Sequence, residues 1–190
     1  MHTYMANSLQ ANSEEMLRIR LACKQANMTV VLGYSERDGA SLYITQTVIG
    51  PDGNILLHRR YTFLQPVSGS VAENHILRKI KPSGMERVVY GEGQGDSLNN
   101  VAQTPVGKVG CMNCAENIGP LARFYEYTLG SQIHVASWPL LFDSKHGGAH
   151  YSYGGPAAQM FTRCEIGSAS GWSHRLMISQ VLLWRVRHLP

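Results

Sequence analysis

The chain has 190 residues, 44% of them apolar and 16% charged, and a formal charge of +4. That balance supports one domain with a core and excludes general disorder; there is no dense basic stripe for a nucleic acid and no apolar run near the ~18 residues of a membrane span. Residues 1–16 lack a basic segment followed by an apolar one, so no secretory leader is expected, and four scattered cysteines (Cys23, Cys111, Cys114 and Cys164) point to a reducing, cytoplasmic compartment rather than a disulfide framework.

Ser13 followed by Glu14 and Glu15 predicts a helix start, with an N-cap hydroxyl and two carboxylates at the positive end of the helix dipole. Met16, Ile19, Cys23 and Ala26 recur at helical spacing, and Asn27 suits the stop because asparagine tolerates the left-handed conformation. TVVLGY (29–34) predicts a buried strand and SLYITQTVIG (41–50) a second one. PDGN (51–54) is a turn, and ILLHRR (55–60) is its return strand. The succession predicts a layered α/β or α+β fold. Residues 61–77 show neither period, and 78–101 read as a long, polar, glycine-rich loop. Residues 104–114 begin as a turn and become a strand. A helix follows over 117–130, with Pro120 near its start and Leu121, Phe124, Tyr125 and Leu129 along one side. QIHVASWP (132–139) is the next strand, 142–155 is loop, and ISQVLLW (178–184) suits either a strand or a helix.

The stretch GCMNCAEN (110–117) admits three chemistries and a plain packing reading. A structural zinc clip needs four ligands, usually two close pairs, and no second pair follows; His146 and His150 lie in a glycine-rich loop. A redox pair fits the strand-then-helix placement but not the flanking residues. Two small buried cysteines at a strand end are a common packing arrangement. The third chemistry is a single nucleophile, exposed by a tight strand-to-helix turn and activated by amides at the helix start. Cys114 is the cysteine that suits this role, because Cys111 falls within the strand.

TPVGKVGCMNCAENIGPL (104–121) resembles the nucleophile segment of the nitrilase branch of the carbon–nitrogen hydrolases, in which a glycine-terminated strand runs into Cys-Trp-Glu-Asn or a close variant. RKIKPSGMERVVYGEGQGDS (78–97) resembles that branch's lysine segment, and residues 30–53 and 132–141 are similar to it as well. The nearest subgroup is the fungal cyanide hydratases and aromatic nitrilases, and the resemblance spans 13–60 and 78–150. It implies a partial four-layer α-β-β-α sandwich over 1–155, with 61–77 an atypical insert and 156–190 a divergent C-terminal segment. It also implies a Glu–Lys–Cys triad acting on a small nitrile or cyanide without metal or organic cofactor. In that triad Cys114 would form a thioimidate and Lys79 would stabilise charge on nitrogen. Glu86 matches a further glutamate that helps position substrate. Ala115, Glu116, Asn117, His134 and Trp138 would border the pocket, with Glu116 and Asn117 also bonding nearby amides. Glu36 matches a later family segment and is read as structural. A homo-oligomer is implied, associating near residues 117–130.

The chain departs from the pattern in four places. The triad's general base normally follows an earlier strand, and no equivalent glutamate is found here; its loss removes about 10²–10⁴-fold from thiol activation. Joining 58–60 directly to Lys79 restores the usual motif, so 61–77 is expected to be retained intron sequence, which the transcript would reveal. Ala115 stands where tryptophan is usual and would widen the pocket. The match fades after Tyr153. Weak or absent activity and exposed sheet edges are therefore expected of this chain.

Overall fold

The computed structural model describes residues 2–57, 77–93, 95–137 and 176–178. Helix α1 (His2–Ala6) is one short turn, and α2 (Glu14–Ala26) is the helix expected from the sequence. Ser13 caps α2 by accepting from the Met16 amide, and Asn27 ends it at φ 50° with its own amide turned back onto Cys23 and Lys24. Met16 and Cys23 are its buried residues; enclosing one such side chain contributes about 1.5–3 kcal/mol.

Strands β1 (Val30–Asp38) and β2 (Ser41–Ile49) form an antiparallel hairpin in unbroken register, from Val30 opposite Ile49 to Asp38 opposite Ser41. The first strand is longer than its apolar run suggested, because SERD continues the ladder to the turn. The PDGN turn forms as expected: Asp52 accepts from the Asn54 amide at 2.9 Å, and the Gly50 amide donates to Asn54 O at 2.8 Å. Gly53 is required there, since it sits at φ 79° and a Cβ would lie 2.8 Å from Arg20 O on α2. Strands β3 (Ile55–Leu57) and β4 (Leu77–Arg78) both pair with β2. Residues 58–76, which include most of the atypical insert, lie outside the described residues.

A second sheet runs in the order β5 (Val101–Thr104), β6 (Gly107–Asn113), β7 (Ile133–Ser137), β8 (Leu176–Ile178). Its first pair is antiparallel; β6–β7 and β7–β8 are parallel. The crossover between β6 and β7 holds α3 (Pro120–Thr128), which opens with proline at its first position. The helix expected over 117–130 is thus two pieces: a 3-10 turn at Cys114–Ile118, then α3. The expected loop over 78–101 is interrupted by 3-10 turns at Gly84–Val88 and Gly95–Leu98.

Alternation along the strands sets the layers. Val48 and Leu57 of the first sheet meet Ala102, Val109, Cys111 and Val135 of the second in one buried cluster. On the outer face of the first sheet, Tyr34 and Ile49 pack against Met16 and Cys23 of α2. On the outer face of the second, His134 meets Glu126 of α3. The order is α-β-β-α, the layered arrangement the sequence implied. Glu36, read from the sequence as structural, is buried and accepts from Thr45 and Arg78. Among the described residues, no helix is long and apolar enough to cross a membrane.

Candidate active site

Strand β6 ends at Asn113, and the next residue turns the chain. Cys114 has φ 49°; with Asn27 it is one of two non-glycine residues at positive φ among the described residues. A left-handed non-glycine residue costs on the order of 1–3 kcal/mol and persists only where its surroundings impose it. Here they do. Asn117 Nδ2 donates to Cys114 O at 2.9 Å and to Met112 O at 3.4 Å, and the Asn113 amide donates to Glu116 Oε2 at 2.8 Å. The thiol at the apex is half-buried and free of any disulfide. Cys111, three residues earlier, is part of the apolar cluster between the sheets, so the structure separates the two cysteines into a packed position and a half-buried one at the turn.

Lys79 reaches the same end of the sandwich from the other sheet. Arg78 anchors its strand: the guanidinium bonds Glu36 at 3.1 Å and Asp38 at 2.8 Å and lies 3.6 Å above the Tyr43 ring. The Lys79 amide donates to Ile44 O at 2.8 Å, and its carbonyl accepts from the Gly93 amide at 3.0 Å. The side chain is 1% exposed, and Nζ lies 2.6 Å from Glu86 Oε2. Glu86 Oε2 also accepts from the Ser83 amide at 2.6 Å, which fixes the 3-10 turn that carries it. Glu116 joins the halves: Oε1 accepts from the Ile80 amide at 2.6 Å while Oε2 holds Asn113.

The electrostatics are mixed. Burial pushes the Cys114 thiol above its ordinary range; the Lys79 ammonium and the Ala115 amide pull it down, whereas Glu86 and Glu116 push it up. Burial likewise raises Glu116, against the two amides it accepts from and the Lys79 charge. The arrangement can hold a thiol, an ammonium and a carboxylate around one small electrophile.

Of the residues expected at the site, Cys114, Lys79, Glu86, Ala115 and Glu116 come together. Asn117 and His134, expected at the pocket border, are buried with their polar atoms engaged beneath the elbow, His134 Nε2 lying 2.8 Å from Asn117 Oδ1. Trp138 lies outside the described residues. Sequence reasoning missed Glu126, which is 0% exposed and lies 2.7 Å from His134 Nδ1. Its signal was faint: at about 100° per residue it falls roughly opposite Phe124 on α3.

A four-layer sandwich with this thiol and ammonium at one end defines a cysteine-bearing α-β-β-α class. The chain belongs to the carbon-nitrogen hydrolase family, whose pattern matches residues 2–164. It is 50% identical over 142 residues to a nitrilase of Talaromyces marneffei, covering 75% of this chain and 38% of that protein. It is 45% identical over 137 residues to a cyanide hydratase of Aspergillus niger, covering 72% and 33%. The chain thus spans well under half the length of these curated relatives. A carbon-nitrogen hydrolase from Helicobacter pylori shares the fold at 16% identity, with a TM-score of 0.61 over 90% of this chain and 53% of that one. Saccharomyces cerevisiae Nit3, of the nitrilase superfamily, does so at 13% identity, with a TM-score of 0.62 over 95% and 57%.

Proposed function

We propose that this chain carries the nucleophile and lysine of a nitrile-converting site. The observation behind it is the buried Lys79 ammonium, held by Glu86 at 2.6 Å and opposing the rise that burial imposes on a thiol presented by a positive-φ turn. The Cys114 thiolate adds to the nitrile carbon. A C–S bond forms, one C–N π bond breaks, and the nitrogen takes a proton from Lys79, which the proton lost by the thiol replaces, giving a thioimidate. Lys79 stabilises the charge on that nitrogen and passes it protons; Glu86 holds Lys79 and orients the substrate. Water then adds to the carbon. Expulsion of the sulfur gives an amide, whereas expulsion of ammonia gives a thioester that a second water cleaves to the acid. Ala115 leaves room beside the sulfur for bulkier nitriles. The substrate class follows from the nitrilases and cyanide hydratases this chain is similar to.

The purified chain should be given benzonitrile, phenylacetonitrile and cyanide, with ammonia and amide measured and the intact mass recorded for a covalent adduct. Turnover or adduct formation that disappears in Cys114→Ala supports the assignment. Turnover that survives this substitution refutes it.

A second reading is association of this chain with another copy or with a full-length relative. It is favoured by α3, where Leu121 is 83% and Phe124 65% exposed, beside exposed Ile118 and Tyr125. Leu121, Phe124 and Tyr125 belong to the apolar side that the sequence pattern gives this helix.

A further inference from the structure

Beneath the elbow runs a chain of buried polar groups that the reaction above does not use. Glu126 Oε1 lies 2.7 Å from His134 Nδ1, and Glu126 Oε2 accepts from Asn100 Nδ2 at 2.8 Å. His134 Nε2 lies 2.8 Å from Asn117 Oδ1. Asn117 Nδ2 closes the chain on the carbonyl of Cys114 at 2.9 Å.

Hydrogen-bond chemistry fixes the direction of each link. The carbonyls of Cys114 and Met112 only accept, so the Asn117 group facing them is the amino group. The atom facing His134 is then the amide oxygen, and His134 Nε2 must carry a proton. Nδ1 faces a carboxylate whose other oxygen already accepts a bond. One proton lies between Nδ1 and Glu126, and a carboxylate met on one oxygen by the Asn100 amino group and on the other by the ring is placed to accept at both oxygens, which leaves the proton on Nδ1. The carboxylate also fills a space reserved for it: a Cβ on Gly110 would lie 2.2 Å from Glu126 Oε1 and 2.6 Å from Ser131 Oγ.

We propose that His134 is a permanently protonated positioning residue: held as an imidazolium by Glu126, it locks the Asn117 amide, which in turn holds the Cys114 carbonyl and so the turn that presents the thiol. This rests on the reading of Cys114 as the nucleophile. Both buried charges are paired, which is the condition for keeping them inside a protein.

The test uses the full chain labelled with 15N-histidine. At neutral pH both ring nitrogens of His134, assigned by comparison with His134→Gln, should be protonated, and Glu126→Gln should release the proton from Nδ1. A bare ring nitrogen on His134 in the unsubstituted chain overturns the proposal. Alkylation of Cys114 by iodoacetamide, followed by peptide mass spectrometry, reads the positioning. His134→Leu strands both the Asn117 amide oxygen and Glu126 Oε1 and should slow it at least about tenfold, and His134→Gln, which keeps a donor for Asn117, should restore most of the rate. Equal rates in all three chains also overturn it. Should the variants unfold, as circular dichroism would reveal, the nitrogen signals of the unsubstituted chain, assigned to His134 by sequential connectivity in uniformly 13C,15N-labelled protein, decide alone. No readout needs nitrile turnover, so failed conversion with a doubly protonated His134 sinks only the proposed reaction. Normal conversion with a bare ring nitrogen sinks only the relay.

Discussion

Lys79 and Cys114 leave different sheets, yet each adjoins an amide bonded to the same carboxylate. Glu116 takes the Ile80 amide at 2.6 Å and the Asn113 amide at 2.8 Å. One side chain therefore sets how the ammonium and the thiol stand relative to each other. A glutamine there keeps the shape but has one acceptor oxygen, so one amide would face an amino group. Glu116→Gln should cost about 1–3 kcal/mol in stability and lower nitrile conversion more than it lowers the melting temperature of the fold. Thermal melts beside the ammonia assay check this; unchanged values in both would remove Glu116 from the site.

Lys79→Met removes the charge that lowers the thiol. Burial raises Cys114 and Lys79 opposes that rise, so without Lys79 the thiolate appears at higher pH. The midpoint of the pH profile for Cys114 alkylation should move upward, and conversion should fall at least about 100-fold. A midpoint that stays put or moves down would contradict the proximity of the two groups.

Gly110→Ala places a methyl group against a carboxylate that cannot swing away, since His134 and Asn100 hold both its oxygens. The expected loss is about 1–3 kcal/mol, measured by denaturant unfolding. Gly39→Ala is the useful contrast: nothing lies within 4 Å of its Cβ, so the cost there comes from φ 59° alone.

Phe124→Asp on the exposed side of α3 should leave the fold and the alkylation of Cys114 intact. If that face joins copies of the chain, light scattering will show a lower mass for the variant. Equal masses would remove self-association through that face.

The parts legible in the sequence were those written locally. The Ser13 cap, the Asn27 stop and the PDGN turn each depend on neighbours within a few residues, and each forms as read. Motif resemblance supplied Lys79, Glu86 and Cys114 together. What stayed hidden was long-range and polar. Glu126 on a helix with an apolar stripe reads as a solvated residue, because only the parallel pairing of Gly110 with His134 shows what lies beneath it. The stripe shows the same limit: Leu121 and Phe124 mark an apolar face, but not what covers it. The bridging role of Glu116 was equally out of reach, since its partner Ile80 is 36 residues away.

The β1–β2 hairpin carries a kinetic consequence. Its two nine-residue strands meet across a tight turn, and such local pairings close in about 1–10 µs. The bond from Ile80 to Glu116 must instead close a far longer loop, whose entropic cost is met before any contact rewards it. The scaffold is therefore expected to form first on refolding, with thiol and ammonium brought together in the slow final phase.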